Sequence, residues 1–150
     1  MSFKLAVSLK VNLDQHSYLI NIQENLLDQP DFLGLIPVAN NICLVTSESV
    51  SKLYLSKLTR HFEVQNKKWI SIVLPDGEGS KNWGSLDQIF TVLLSNTMPR
   101  NTLLIALGGG VIGDITGLAA SLYQRGVPYI QIPTTLLAQV DSSIGGKTAI

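Results

Sequence analysis

The segment Leu103-Leu104-Ile105-Ala106-Leu107 is apolar at every position, then breaks into Gly108-Gly109-Gly110 and resumes with helical periodicity. A strand that alternates apolar and polar residues needs cover on one face, whereas one that is apolar throughout needs cover on both. Other mostly apolar runs recur at Ile42 to Val45, Trp69 to Leu74 and Tyr129 to Ile132. Helical patterns fall between them. Glu48 to Phe62 places Val50, Leu53, Tyr54, Leu58 and Phe62 on one face, and Leu86, Ile89, Phe90, Leu93 and Leu94 follow the i, i+3, i+4, i+7, i+8 spacing. Ile112 to Gln124 and Thr134 to Val140 read as two further helices. Buried strands alternating with helices predict a doubly wound, mainly parallel, Rossmann-like α/β sheet. Ahead of it, Phe3 to Val11 and Ser17 to Ile22 alternate as an antiparallel strand pair turning at Asn12 to His16. Glu24 to Phe32 reads as a short helix.

Composition removes several classes of function. Eleven basic residues balance eleven acidic ones, so there is no electrostatic footprint for nucleic acid or an anionic membrane. The single cysteine, Cys43, lies among Ile42, Leu44 and Val45; it has no internal disulfide partner and reads as a buried, inert thiol. The N-terminal residues lack the apolar core of a signal peptide, and no apolar run reaches membrane-spanning length. A soluble, cytoplasmic protein is expected. His16 and His61 are isolated, and nothing has metal-ligand spacing.

Sheets of this type bind ligands beyond the carboxyl ends of their strands. Those exits are Thr46-Ser47-Glu48, the loop from Pro75 to Lys81, Gly108-Gly109-Gly110 and Pro133-Thr134-Thr135. Gly108, Gly110 and Gly113 fit G-x-G-x-x-G between a strand and a helix, the context in which backbone N–H groups cradle a phosphate. The same glycines also suit a helix that needs clearance against a sheet. An ordinary dinucleotide fingerprint places an acid about twenty positions on, where Gln131 and Ile132 stand. Carboxylates at a strand end come instead from Asp76 and Glu78, in a loop that also reads as a plain solvated turn. Asp114 is either a first-turn acid favoured by the helix dipole or an acceptor for ligand hydroxyls or a nicotinamide amide. One of Thr134 and Thr135 caps a helix while the other faces a ligand. Gly145-Gly146-Lys147-Thr148 is not a P-loop, because Asp141 stands where its first glycine belongs. Lys147 is a surface lysine or the partner of a phosphate or carboxylate.

The stretches PDGE with Lys81, ALGGGVIGDITGLAAS, YQRGVPYIQIPTTLLAQVDSS and IGGKTAI resemble the 3-dehydroquinate synthase family, strongly from Pro75 onward and more loosely before it. The resemblance implies that residues 1–150 form a nicotinamide-binding N-terminal domain, with the family's mainly helical C-terminal domain absent. It implies conversion of 3-deoxy-D-arabino-heptulosonate 7-phosphate to 3-dehydroquinate and phosphate in the shikimate pathway, with NAD and a divalent metal, zinc or cobalt. Transient oxidation of the substrate acidifies a C–H bond, phosphate leaves, hydride returns and an intramolecular aldol closes the ring. By motif, Asp76, Gly77, Glu78, Gly79, Ser80 and Lys81 would hold the adenosine end of NAD. Gly109, Gly110, Val111, Ile112, Gly113 and Asp114 would cradle the pyrophosphate and reach the nicotinamide ribose. Thr134 and Thr135 would contact the cofactor, with Lys147 shared between cofactor and substrate.

Asp141 and Lys147 would meet the substrate, and Arg125 the substrate phosphate of a partner subunit in a homodimer. The plainer reading of Arg125 is a solvated residue at a helix end. The family's metal ligands, a glutamate and two histidines, belong to the absent domain. Ser47 departs from the asparagine that many members carry, and Gly79-Ser80 is smaller than usual. Sugar-phosphate cyclases of the deoxy-inosose or valiolone synthase type are the nearest rival, and DSSIGGK favours the dehydroquinate reading. From a different class, the isolated chain reads as a nucleotide-binding module without catalysis.

Overall fold

The structure is a computed structural model in which residues 6–150 are described; the start of the expected first strand, at Phe3, lies outside them. The chain divides into two compact units, Met1–Ile36 and Pro37–Ile150. In the first, β1 (Ala6–Val11) pairs antiparallel with β2 (Tyr18–Gln23), with Val11 opposite Tyr18. The cross-strand pair Ser8 and Asn21 shares a side-chain hydrogen bond of 2.8 Å. The helix expected over Glu24 to Phe32 is replaced by two 3-10 turns, Leu26–Asp28 and Phe32–Leu35. Asn25 is left-handed at φ 53°, and Gln29, ahead of Pro30, is extended at ψ 137°. Neither conformation continues a helix.

In the second unit β3 (Asn41–Ser47) leads into α1 (Glu48–Val50), a π-helical segment (Ser51–Leu55) and α2 (Ser56–Val64). Then come β4 (Lys68–Leu74), α3 (Trp83–Ser95), β5 (Leu103–Gly108), α4 (Gly110–Leu122) and β6 (Tyr129–Pro133). The four strands are parallel in the order β4-β3-β5-β6. The chain steps from β3 outward to β4, then crosses back to β5 and β6. This doubly wound arrangement is the expected one, with its reversal between β3 and β5. Right-handed crossovers put α2 on one face and α3 and α4 on the other.

Burial agrees with that layering. Cys43, Val45, Ile72, Leu74, Leu104 and Ala106 pack with Leu86, Ile89 and Leu93 of α3 and Ile112, Ile115 and Ala119 of α4. The alternate residues Ile42, Leu44, Leu103, Ile105 and Leu107 are equally buried and face the other way. On the helices two expectations fail. Leu53, placed on the face of Leu58 and Phe62, is 62% exposed, because the i→i+5 segment around it slips the 3.6-residue period. Leu94 is also exposed, while Leu86, Ile89 and Leu93 are fully buried. Asn82 caps α3 by accepting from the Ser85 N–H at 3.0 Å. No helix of the described residues is long and apolar enough to cross a membrane.

Candidate functional site

The parallel register brings the strand exits to one rim: Ser47 lies opposite Leu74, Thr46 opposite Leu107 and Gly108 opposite Pro133. The glycine turn therefore sits at the point where the strand order reverses, the usual ligand position in such sheets. Helix α4 begins at Gly110, with extended Gly109 as an N-cap whose side is bare of any capping group. The N–H groups of Gly110, Val111 and Ile112 thus lack the carbonyl partners that a preceding turn would supply. The Gly113 N–H already donates to the Gly109 carbonyl at 3.0 Å. The Ile112 side chain is buried in the core, so only its backbone is offered to a ligand.

These glycines also answer to packing. A Cβ on Gly108 would lie 2.8 Å from Cβ and Cγ1 of Ile112, and one on Gly110 would lie 2.9 Å from Ser142 Oγ. At Gly113 it would meet Gln131 Oε1 at 2.5 Å, and at Gly117 the methyl of Thr148. Clearance and an open helix end are both present in the same turn.

The helix starts earlier than the expected Ile112, which places Asp114 beyond the first turn. The dipole contribution fades within that turn, and the partner of Asp114 is instead Lys81, whose Nζ donates to Oδ2 at 2.7 Å. The carboxylate holds the Lys81 ammonium above its ordinary pKa. Glu78 stands 3.9 Å from the same ammonium and is mostly exposed. Tyr129 on β6 donates its hydroxyl to the Gly113 carbonyl at 2.7 Å; burial, with the nearby Asp114 charge, pushes its pKa up.

The loop after β4 is a built turn rather than a loose one. Gly77 has φ 96°, a conformation that favours glycine. Ser80 is buried and spends its hydroxyl on the Pro75 carbonyl at 2.6 Å. The Gly79 carbonyl accepts from the Asn82 side chain. Asp76 reaches back to the β3 exit, where its carboxylate accepts from the Ser49 hydroxyl at 2.6 Å and the Ser49 N–H at 3.1 Å. The Ser49 hydroxyl, then that of Ser47, then the Ser49 N–H hold Asp76 below the usual carboxylate range.

Thr135 is the capping threonine, accepting from the Ala138 N–H at 3.2 Å. Thr134 Oγ1 is buried without a partner. The helix expected over Thr134 to Val140 forms over 136–142 and ends as a π-helix, Ala138–Ser142. That carries Ser142 against Gly110, with its own Oγ buried and unpartnered. Asp141 is exposed beside it. From there the chain runs along α4, so that Thr148 meets Gly117 and Ile150 packs on the core. Lys147 is exposed next to Thr148, about 10 Å down the helix axis from Gly110 at the standard rise.

Arg125 is exposed at the opposite end of α4, roughly 20 Å from Gly110 by the same rise. It stands in a run of left-handed residues, Gln124, Arg125 and Gly126, and is no part of this chain's rim. Cys43 is fully buried, and burial pushes its thiol to about 12. Residues that local pattern did not single out for the site are Ser49, Tyr129, Gln131 and Ser142. Only Ser142, beside Asp141 in DSS, carried a signal that pointed to it.

Comparison with known proteins decides the family. Residues 71–150 match the family model described as the N-terminal part of 3-dehydroquinate synthase. The chain belongs to the 3-dehydroquinate synthase family. A 3-dehydroquinate synthase of Pseudomonas fluorescens Pf-5 is 54% identical over 146 residues, covering 95% of this chain and 38% of that protein. One from Neisseria meningitidis serogroup C is 51% identical over 143 residues, covering 95% of this chain and 40% of the relative. The chain thus spans about two-fifths of the length of such relatives.

Among solved structures, a 2-epi-5-epi-valiolone synthase from Streptomyces hygroscopicus with NAD+ and Zn2+ bound superimposes with a TM-score of 0.76 at 30% identity. That match covers 93% of this chain and 39% of the synthase. A 2-deoxy-scyllo-inosose synthase complexed with carbaglucose-6-phosphate, NAD+ and Co2+ gives 0.81 at 21% identity, covering 91% of this chain and 38% of that one, which establishes the shared fold.

Proposed function

We propose that this chain is the NAD-binding portion of a 3-dehydroquinate synthase, a phosphate-eliminating lyase that converts 3-deoxy-D-arabino-heptulosonate 7-phosphate to 3-dehydroquinate. The observation that carries the cofactor reading is the uncapped N-terminus of α4 at the switch point, flanked by the unpartnered hydroxyls of Thr134 and Ser142. Family membership and 54% identity to a named synthase carry the reaction. The donor set fits a dinucleotide: open backbone N–H groups for the diphosphate, an orphaned threonine hydroxyl beside them and carboxylates along the rim. Bound NAD supplies a hydride acceptor that is regenerated within one turnover.

Each residue then has a task. Gly109, Gly110, Val111 and Ile112 hold the diphosphate through backbone, and Gly113 lets α4 lie close to β6. Gly77, Glu78, Gly79 and Ser80 shape the wall for the adenosine end, with Asp76 fixing that wall to the β3 exit. Asp114 accepts from ribose hydroxyls through its free oxygen, while Thr134 faces the cofactor and Thr135 holds the helix that follows. Asp141 meets the substrate hydroxyls and Lys147 its anionic groups. Arg125, remote from the rim, serves the phosphate of a partner subunit in a cytoplasmic homodimer, where a planar guanidinium suits bidentate contact. Among the described residues no group of three or more His, Cys, Asp or Glu could hold a metal ion. The residues present do not fit a zinc or cobalt site, and no step is assigned to one.

The test offers heptulosonate phosphate and sedoheptulose 7-phosphate in parallel, with phosphate release as the readout. A protein of the full length of the relatives is expected to release phosphate from the first and form dehydroquinate. The 150-residue chain is expected to form none. Turnover of sedoheptulose 7-phosphate alone would move the assignment to a valiolone-type cyclase, and turnover by the 150-residue chain would overturn its reading as a binding portion.

A further inference from the structure

Gly117 lies buried in the middle of α4, where glycine is less favourable than alanine for the helix itself. What its missing side chain provides is a notch. A Cβ on Gly117 would run into the methyl of Thr148 and lie 3.2 Å from Cε1 of Tyr129. The Tyr129 ring walls this notch and is held there by its hydroxyl, which donates to the Gly113 carbonyl at 2.7 Å. The segment that fills the notch leaves from a glycine hinge. The Ile144 N–H closes the preceding turn on the Asp141 carbonyl at 2.9 Å. Gly145 then takes φ 96°, and a Cβ on Gly145 or Gly146 would stand in open space. Beyond the hinge exposure alternates. Lys147 and Ala149 are exposed, whereas Thr148 and Ile150 are half-buried, Ile150 against the core.

We propose that Gly117 and Thr148 are positioning residues for Lys147. The Thr148 methyl seated against Gly117 fixes the register of residues 147–150, and with it the place from which the Lys147 ammonium reaches the substrate. In an extended segment a slip of one residue moves Lys147 by about 3.4 Å and turns its side chain to the opposite face. The glycine hinge cannot resist that slip, because glycine adopts positive and negative φ about equally. Thr148 can, because its β-branched side chain is stiff at χ1. The inference rests on the reading of Lys147 as a substrate contact. Gly117 and Thr148 themselves act only through it.

The experiment is steady-state kinetics with heptulosonate phosphate at saturating NAD, on a protein of the full length of the relatives. The variants are Gly117→Ala, Thr148→Ser, Thr148→Val, Lys147→Met and the Gly117→Ala, Lys147→Met double variant, each checked by thermal unfolding. A contact made equally in the ground and transition states shows in KM rather than kcat. Gly117→Ala is expected to raise KM about tenfold and Thr148→Ser about threefold, with kcat within about twofold of wild type. Thr148→Val keeps the methyl and is expected to match wild type. Added to Lys147→Met, Gly117→Ala should raise KM no further, since both act through one ammonium. A folded Gly117→Ala with unchanged KM, or Thr148→Val as impaired as Thr148→Ser, overturns the inference while the functional reading stands. Should Gly117→Ala fail to fold, the two Thr148 variants decide the matter in the same way. An unchanged KM in Lys147→Met, or a wild type that does not turn over heptulosonate phosphate, overturns the reading beneath, and the inference with it.

Discussion

Gly110→Val is expected to lower NAD affinity by about 100-fold while leaving the chain folded. A Cβ at this position already lies 2.9 Å from Ser142 Oγ and 3.4 Å from Ser142 Cβ. The two further carbons of valine have only the space over the helix end to occupy. That space is where a diphosphate would take the N–H groups of Gly110, Val111 and Ile112. Hydrogen bonds to charged groups contribute about 1.5–3 kcal/mol each, and losing one or two of them corresponds to the stated factor. Ser142 is a short side chain at the edge of a π-helical turn, so it can yield without opening the core. Calorimetric titration against NAD, with circular dichroism to confirm folding, checks the result. Affinity within threefold of wild type in a folded variant would remove the glycine turn from the site.

Gly108→Ala is expected to act on stability instead. Gly108 is buried at the last position of β5, and its added Cβ would press on Cβ and Cγ1 of Ile112 at 2.8 Å. Those atoms are the branched stem of a core side chain, which has no free rotamer to retreat to. Overpacking of this kind costs about 1–3 kcal/mol, and in a domain of this size that lowers Tm by roughly 2–12 °C. Gly113→Ala is the internal comparison. There the obstructing atom is the tip of Gln131, which can swing aside, so its Tm should fall less. Equal melting temperatures for Gly108→Ala and wild type would show that the turn has slack.

The central strands were legible because β3 and β5 are buried on both faces and their middles, Ile42 to Val45 and Leu103 to Leu107, are apolar without a break. The glycine turn was legible because a strand, bare backbone and a helix start follow one another locally. What escaped depended on contacts between distant residues or on departures from regular period. The left-handed Asn25 turned an apparent helical stretch into two 3-10 turns, although asparagine in that conformation costs little enough to leave no clear sequence mark. The π-segment Ser51–Leu55 put Leu53 in solvent against its periodicity.

Within the site, the sequence offered Asp114 either as an acid serving the helix dipole or as a ligand acceptor, and neither reading showed that its charge is met by Lys81 from another strand exit. Pairings at that separation follow from topology and cannot be read along the chain. The ambiguity between Thr134 and Thr135 was of another kind. Either hydroxyl can cap, and only the actual helix start at 136 assigns the task to Thr135 and leaves Thr134 open.

The most direct test of the glycine turn as the diphosphate site is amide NMR on the uniformly labelled chain during NAD titration. The N–H signals of Gly110, Val111 and Ile112 are expected to shift saturably, and further than those of α3, whose N-terminus is already capped by Asn82. Saturable NAD binding that leaves these three amides in place would contradict the assignment.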